Sequence, residues 1–242
     1  MKDDPDSPWG LAFDLDHKVG ECRFWWRQEE PTPLRWSVIL GEFLYDLRSA
    51  LDHLARQLVL ANGRKPDNRT EFPVFKSEDD FEGRSCPKTR GMSAKVKALL
   101  LEIQPFREWP ENPMDTTLWG IQNLCNFDKH KLLHLTDPWL MTAEMNVTGP
   151  GVEWIQKPRR MRLYDKAKIC AYRWDTSADT NVNMNFGFSL DVALAEGQWQ
   201  PEGAGQPSEG MSVLHLMDVC LKYMETTFLP RFEPFFPDAT QN

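Results

Sequence analysis

The chain has 242 residues, of which 41% are hydrophobic and 26% charged, and its formal net charge is −8. This composition is typical of a soluble globular protein, and the acidic balance disfavours broad, non-specific binding of nucleic acid. The five cysteines contain no CxxC pair, which disfavours a zinc knuckle or a disulfide framework and favours reduced thiols in a cytoplasm. Residues 1–8 are polar, unlike a signal peptide, and no apolar run approaches the roughly 18 residues of a membrane span.

Two hydrophobic periodicities predict an α+β fold, in which amphipathic helices pack together beside an antiparallel β-sheet. Residues 1–18 are expected to be a mobile lead-in, and 19–242 a single domain. Strand-like alternation is found in 19–28 and across 140–190. Helical periodicity or a helix-capping pattern is found near 34–61, 93–104, 115–136 and 211–228, whereas 63–92 has the composition of a loop.

The segment 34–61 is the longest periodic helix, and it carries the densest set of groups able to do chemistry. Its polar side is expected to include Arg48, Asp52 and His53, and Arg48 and Asp52 have the i,i+4 spacing of an ion pair. One interpretation is a solvated face with ion pairs. The other is that this face meets a second polar helix further along the chain.

The helix predicted at 115–136 places Asp128 in the middle of its apolar stripe. A carboxylate that faces a core is costly unless it is paired. The sequence therefore predicts that Asp128 pairs with Arg48 or His53 in a cross-helix polar network. Asn126 and His130 lie on a different face of the same helix.

Four runs resemble a family of uncharacterised bacterial proteins, in the same order over most of the chain: GEFLYDLRSALDH at 41–53, FPVF at 72–75, IQPF at 103–106 and NFDKHKLLH at 126–134. This resemblance implies a common fold and carries no known activity. Separately, the spacing of Arg48 and His53 is similar to the Arg-x4-His motif of the HEPN superfamily, helical proteins that include metal-independent endoribonucleases.

The HEPN resemblance implies RNA as a partner and a homodimer, because such sites form where two copies of the motif helix meet. His53 would act as general acid or base on the 2′-hydroxyl or the leaving oxygen. Arg48 would stabilise the charge on the phosphorane. Asp52 or Asp128 would orient the pair.

A metal site is the second enzymatic hypothesis, because His130 and His134 have the i,i+4 spacing of two helical ligands. A third ligand would have to come from Asp46 or His53, since Asp128 projects about 160° away. Two ligands are too few, so no metal and no other cofactor is expected.

The sequence favours a non-catalytic binding or regulatory module with a structural polar network. A HEPN-like endoribonuclease and a metal-dependent hydrolase are its alternatives. The candidate site residues are Arg48, Asp52, His53, Asn126, Asp128 and His130.

Overall fold

The computed structural model describes residues 9–131, 133, 135, 138–149, 151–177, 183–194 and 212–236, without the side chains of 183, 184 and 186. It has the α+β fold that the periodicities predict, with helices and antiparallel sheets. Contacts divide the chain into two compact units. We call residues 1–33 with 135–193 the β unit, and residues 34–134 with 194–242 the helical unit.

The β unit contains two antiparallel sheets. Its strands are β1 Trp9–Asp16, β2 Glu21–Gln28, β3 Trp139–Thr148, β4 Glu153–Gln156, β5 Met161–Arg162, β6 Lys168–Arg173 and β7 Asn183–Asp191. One sheet has the order β1-β2-β6-β4 and the other β5-β3-β7, where the sequence predicts a single sheet. Alternating apolar residues identify a strand but do not show which strand pairs with it, so the division into two sheets was not predictable from this pattern.

Strand β2 shows why the alternating segments form strands. Cys22, Phe24 and Trp26 are each 1% exposed and form a core with Leu140 of β3 and Cys170 of β6. Because successive side chains of a strand point to opposite faces, this alternation places every second residue of β2 in the core.

Strand β1 corrects the expectation of a mobile lead-in, since it pairs with β2 over its whole length from Trp9 to Asp16. The signal was present in the sequence, where apolar side chains alternate at positions 9, 11, 13 and 15. Trp9 and Leu11 pack against the core of the unit. Phe13 and Leu15 are exposed. Only the first half of the alternation, at Trp9 and Leu11, therefore corresponds to residues that pack against the core.

The helical unit has α1 Leu34–Ala61, α2 Glu78–Lys88, α3 Ala94–Glu102, the short α4 Pro105–Glu108, α5 Thr117–His130 and α6 Val213–Lys222. Helix α6 continues as a π-helix at Tyr223–Phe228, and 3₁₀ turns lie at Pro113–Asp115, Leu229–Arg231 and Glu233–Phe235. Helix α5 contacts both α1 and α6, which confirms that the three long predicted helices pack together. None of the described helices combines the length and the apolar composition that crossing a bilayer requires.

Helix α2 lies inside the segment that the sequence predicts as a loop. Its sequence has no apolar stripe, and it contains Gly83 and Pro87, two residue types that disfavour a helix. The helix is instead defined at its start, where the side chain of Ser77 accepts a hydrogen bond from the backbone N–H of Asp80. Acidic residues at 78, 79 and 80 complement the positive end of the helix dipole.

Helix α5 ends at His130, earlier than the predicted 136. Lys131 follows it with extended backbone, φ −151° and ψ 138°. Residues 132, 134 and 136 of the predicted helix lie outside the described residues.

Residues 72–75 are buried without belonging to a helix or a strand. The side chain of Gln104, which is 0% exposed, makes the hydrogen bonds to this backbone that a neighbouring strand would otherwise make. Its Oε1 accepts from the N–H of Phe75 at 2.9 Å, and its Nε2 donates to the carbonyls of Pro73 at 3.0 Å and Leu100 at 2.8 Å. Buried backbone groups need such partners, so Gln104 fixes one end of this segment.

We expect Gln104→Leu to lower the free energy of unfolding by about 2–4 kcal/mol, because it leaves buried backbone groups of residues 73 and 75 without partners. The control is Gln57→Leu, the same change at an exposed position of α1, which should stay within about 0.5 kcal/mol of wild type. Urea denaturation followed by circular dichroism measures both. Equal midpoints for the two variants would contradict the role of Gln104.

Candidate functional site

Arg48 is a buried residue of α1, 6% exposed, whereas the sequence predicts it on the polar side. It belongs to the same stripe as Leu44, Leu51 and Ala55, which are 0% exposed. The helix therefore turns its guanidinium towards the interior of the helical unit.

The guanidinium of Arg48 bonds to Asp52 and to the backbone of Phe72, and these two groups also bond to each other. Its Nη2 donates to Asp52 Oδ1 at 2.5 Å and to the carbonyl of Phe72 at 2.7 Å. The same Asp52 oxygen accepts from the N–H of Phe72 at 2.8 Å. Arg48 and Asp52 thus hold the start of the segment 72–75, whose other end is held by Gln104.

Burial and the nearby carboxylates act in opposite directions on the charge of Arg48. Burial lowers the pKa of Arg48 from its usual value, and the carboxylates of Asp52 and Glu71 act in the opposite direction. Its Nη1 is buried and finds no hydrogen-bond partner in the described part of the chain. The described residues therefore provide no acceptor for the two N–H groups of this nitrogen.

The predicted pairing of Asp128 with Arg48 or His53 is wrong. Asp128 makes no hydrogen bond or ion pair with a described residue, and it lies half-buried against Gly41 of α1. A Cβ built on Gly41 would overlap the carboxylate of Asp128. Gly41 and Arg48 are seven residues apart, which is about 10 Å along the helix axis, so Asp128 meets α1 roughly two turns before the guanidinium.

The six candidate residues fall into three places. Arg48, Asp52 and Asn126 line one cleft, which we call the Arg48 cleft. Asp128 and His130 line a separate, shallow groove together with Gly41 and Asp46. His53 is exposed and lines neither of them. The structure therefore does not bring Arg48 and His53 to one site within the described helical unit.

The Arg48 cleft has a volume of about 420 Å³ and a charged lining. Its cations are Arg48, Lys76, Arg84, Lys88 and Lys129, and its carboxylates are Asp52, Glu71 and Asp80. Two more positive than negative side chains therefore line a cleft in an acidic chain.

Each carboxylate of the cleft is matched with one of its cations. Arg48 bonds Asp52 as above, and Lys88 Nζ lies 2.5 Å from Glu71 Oε2. The hydrogen bond from Lys88 lowers the pKa of Glu71 below its usual value. Arg84 Nη1 lies 3.8 Å from Asp80 Oδ1, at the i,i+4 spacing of α2. Lys76 and Lys129 remain, and neither forms an ion pair with a described residue.

Uncharged side chains complete the cleft. Val74 and Phe75 are buried, and Trp119 of α5 is half-buried. Gln122 and Asn126 follow Trp119 at the three- and seven-residue spacing of one helix face. The side chain of the buried Thr116 caps α5 by accepting a hydrogen bond from the N–H of Trp119 at 3.4 Å. The helix therefore begins just before Trp119, the first of its residues that lines the cleft.

Sequence reasoning identified three residues of this cleft and missed most of its cations. Lys76, Arg84 and Lys88 lie in or beside a helix that the sequence predicts as a loop. Lys129 lies within the quoted run at 126–134 but was given no role. The signal that could have found α2 was the Ser77 cap with acidic residues after it.

The metal hypothesis depends on His130 and His134, and His134 lies outside the described residues. His130 is exposed at the end of α5. Within the part of the chain that the structure describes, no group of three or more His, Cys, Asp or Glu side chains could hold a metal ion.

Asp52→Ala should lower the free energy of unfolding by about 2–4 kcal/mol, because it leaves a buried guanidinium without its carboxylate and the N–H of Phe72 without an acceptor. His53→Ala removes the adjacent, exposed side chain and should change stability by less than about 0.5 kcal/mol. Chemical denaturation of both variants checks this. A loss for His53→Ala as large as that for Asp52→Ala would contradict the structural role of the Arg48–Asp52 pair.

Gly41→Ala should stabilise the protein by less than the about 1 kcal/mol that alanine normally adds in place of a helical glycine. The added methyl group would occupy the position of the Asp128 carboxylate, which would have to turn away from α1. In the Asp128→Ala background the same change should add the full gain of about 1 kcal/mol, so the two changes should be coupled. Gly83→Ala in α2, where a Cβ meets nothing within 4 Å, is the control and should stabilise in both backgrounds. Additive effects of Gly41→Ala and Asp128→Ala would show that the two residues do not touch.

Comparisons of the chain with models of protein families, with curated proteins and with solved structures give no match. The resemblances that the motifs suggest, to a family of bacterial proteins and to the HEPN superfamily, therefore stay predictions.

Proposed function

We propose that the protein is a non-catalytic binding module, and that its helical unit binds a small anion in the Arg48 cleft. The observation that carries this proposal is the lining of the cleft, where five cations meet three carboxylates and the guanidinium of Arg48 is buried. Nη1 of Arg48 finds no acceptor among the described residues, but it is itself closed off from solvent, so a ligand in the cleft does not have to touch it. An anion would bond to the exposed Lys76 and Lys129 and would act on the buried charge of Arg48 through space, as Asp52 and Glu71 do.

The charge distribution supports a local anion site. The whole chain has a net charge of −8, whereas cations outnumber carboxylates in the lining of the cleft. An acidic surface repels polyanions, but a concave site with an excess of cations concentrates a small anion. The volume of about 420 Å³ falls within the roughly 300–1,000 Å³ of small-molecule sites.

The positions of Arg48 and His53 favour binding over RNA cleavage. A HEPN-like mechanism needs both side chains at the same phosphate. Residues five apart on a helix point about 140° from each other. Nη2 of Arg48 is already shared between Asp52 and Phe72, while His53 lines neither cleft. Arg48 therefore serves the fold and the cleft in this proposal, and His53 serves neither.

The proposal predicts that small anions raise the free energy of unfolding of the full chain. Inorganic phosphate and pyrophosphate are the probes, with sodium chloride at matched ionic strength as the control for screening. An anion at about 100 times its Kd should add about 2.7 kcal/mol. Lys129→Gln should reduce the effect, whereas Lys131→Gln should not, since Lys131 is also exposed but does not line the cleft.

The catalytic alternative is tested on the same preparations with a labelled single-stranded RNA in chelator. The proposal expects no cleavage by wild type. Cleavage that His53→Ala slows by about 10²–10⁴-fold would instead establish the HEPN-like activity. Equal responses of wild type and Lys129→Gln to pyrophosphate would contradict the anion site.

A further inference from the structure

The pairing of charges in the Arg48 cleft specifies the charge of its ligand. Asp52, Glu71 and Asp80 are each matched by one cation of the lining. Lys76 and Lys129 are left. Two uncompensated ammonium groups suit a dianion, and a phosphate monoester carries about −1.5 to −2 at neutral pH.

The position of the cations favours a phosphate group over a planar carboxylate. The guanidinium of Arg48 cannot make the two parallel bonds by which arginine recognises a carboxylate, because each such pair includes an N–H of Nη2, and Nη2 is held by Asp52 and Phe72. The two separate ammonium groups of Lys76 and Lys129 suit the several oxygens of a tetrahedral phosphate.

The uncharged part of the cleft suits a planar aromatic group. Trp119 is half-buried on the face of α5 that also presents Gln122, Asn126 and Lys129. Stacking of a base on an aromatic side chain tightens binding by roughly 5- to 100-fold. The amides of Gln122 and Asn126 have no hydrogen-bond partner in the described part of the chain, and each can donate and accept at the edge of a base.

We infer that the Arg48 cleft binds a phosphate monoester joined to a planar heteroaromatic group, the chemistry of a nucleoside monophosphate. This inference rests on the proposed anion site and deepens it. The phosphate lies at Lys76 and Lys129, and the aromatic group lies on Trp119. The same chemistry is found in a free nucleotide and at the 5′-phosphate end of an RNA strand.

Isothermal titration calorimetry on the full wild-type chain tests the two halves of the ligand. The probes are AMP, adenosine, ribose 5-phosphate and inorganic phosphate. AMP should bind at least about 10-fold more tightly than either adenosine or ribose 5-phosphate, since each of these lacks one half. A short RNA with a 5′-phosphate and the same RNA with a 5′-hydroxyl separate the two sources. Tighter binding of the phosphorylated RNA than of AMP assigns the site to an RNA end.

Two variants test which residues bind the phosphate group and which bind the aromatic group of the ligand. Trp119→Ala should weaken AMP by roughly 5- to 100-fold and leave ribose 5-phosphate unchanged, because only AMP carries a base. Lys129→Gln should weaken AMP and ribose 5-phosphate alike by about 10-fold, while Lys131→Gln changes neither. Asn126→Ala, at an exposed position, replaces Trp119→Ala if the latter does not fold, and should also weaken AMP alone.

The wild-type titrations decide the nucleotide inference, and the response of Lys129→Gln to pyrophosphate decides the anion site. Adenosine binding as tightly as AMP would overturn the phosphate assignment. Ribose 5-phosphate binding as tightly as AMP would overturn the aromatic assignment. Binding of pyrophosphate that Lys129→Gln weakens, without binding of AMP, would overturn the nucleotide inference and leave the proposed anion site standing. Absence of binding by every probe would overturn both.

Discussion

The helical unit depends on keeping an extended, buried stretch of backbone satisfied without a neighbouring strand. Residues 72–75 run through the interior, where amide groups cannot reach bulk water. Side chains from α1 hold Phe72, and Gln104 holds Pro73 and Phe75. The ring of Phe72 packs on Phe228 with centroids 5.4 Å apart, so the C-terminal helical turns are fixed to the same segment.

This constraint also explains how one arginine can serve both the fold and a cleft. Holding the carbonyl of Phe72 requires a buried donor, and a guanidinium has several nitrogens. Nη2 is occupied by the backbone of Phe72 and by Asp52. The positive charge of a guanidinium is delocalised over all of its nitrogens, so it still acts on the cleft that Arg48 lines. The structural and functional interpretations of Arg48 are therefore compatible.

Local pattern predicted most elements of this chain and little of its site. Helix α1 and strand β2 follow from periodicity, because one buried face imposes its period on the sequence. The error at Asp128 arose because periodicity gives the angle of a residue around a helix but not its height against a neighbouring helix. The Arg48 cleft was missed because its lining combines α1, residues 71–76, the polar helix α2 and α5. Periodicity within one element does not show which residues of other elements lie next to it.

Phe72 is hydrogen-bonded directly to α1, so the position of residues 72–75 does not depend on the length of the connection between α1 and Phe72. Residues 62–69, between α1 and the segment, are mostly exposed. Doubling the length of a flexible connection adds only about 0.6 kcal/mol of closure entropy. Asp52 and Arg48 would still meet Phe72 at the end of a longer connection. Across evolution, this stretch can therefore gain residues while the interior keeps its geometry.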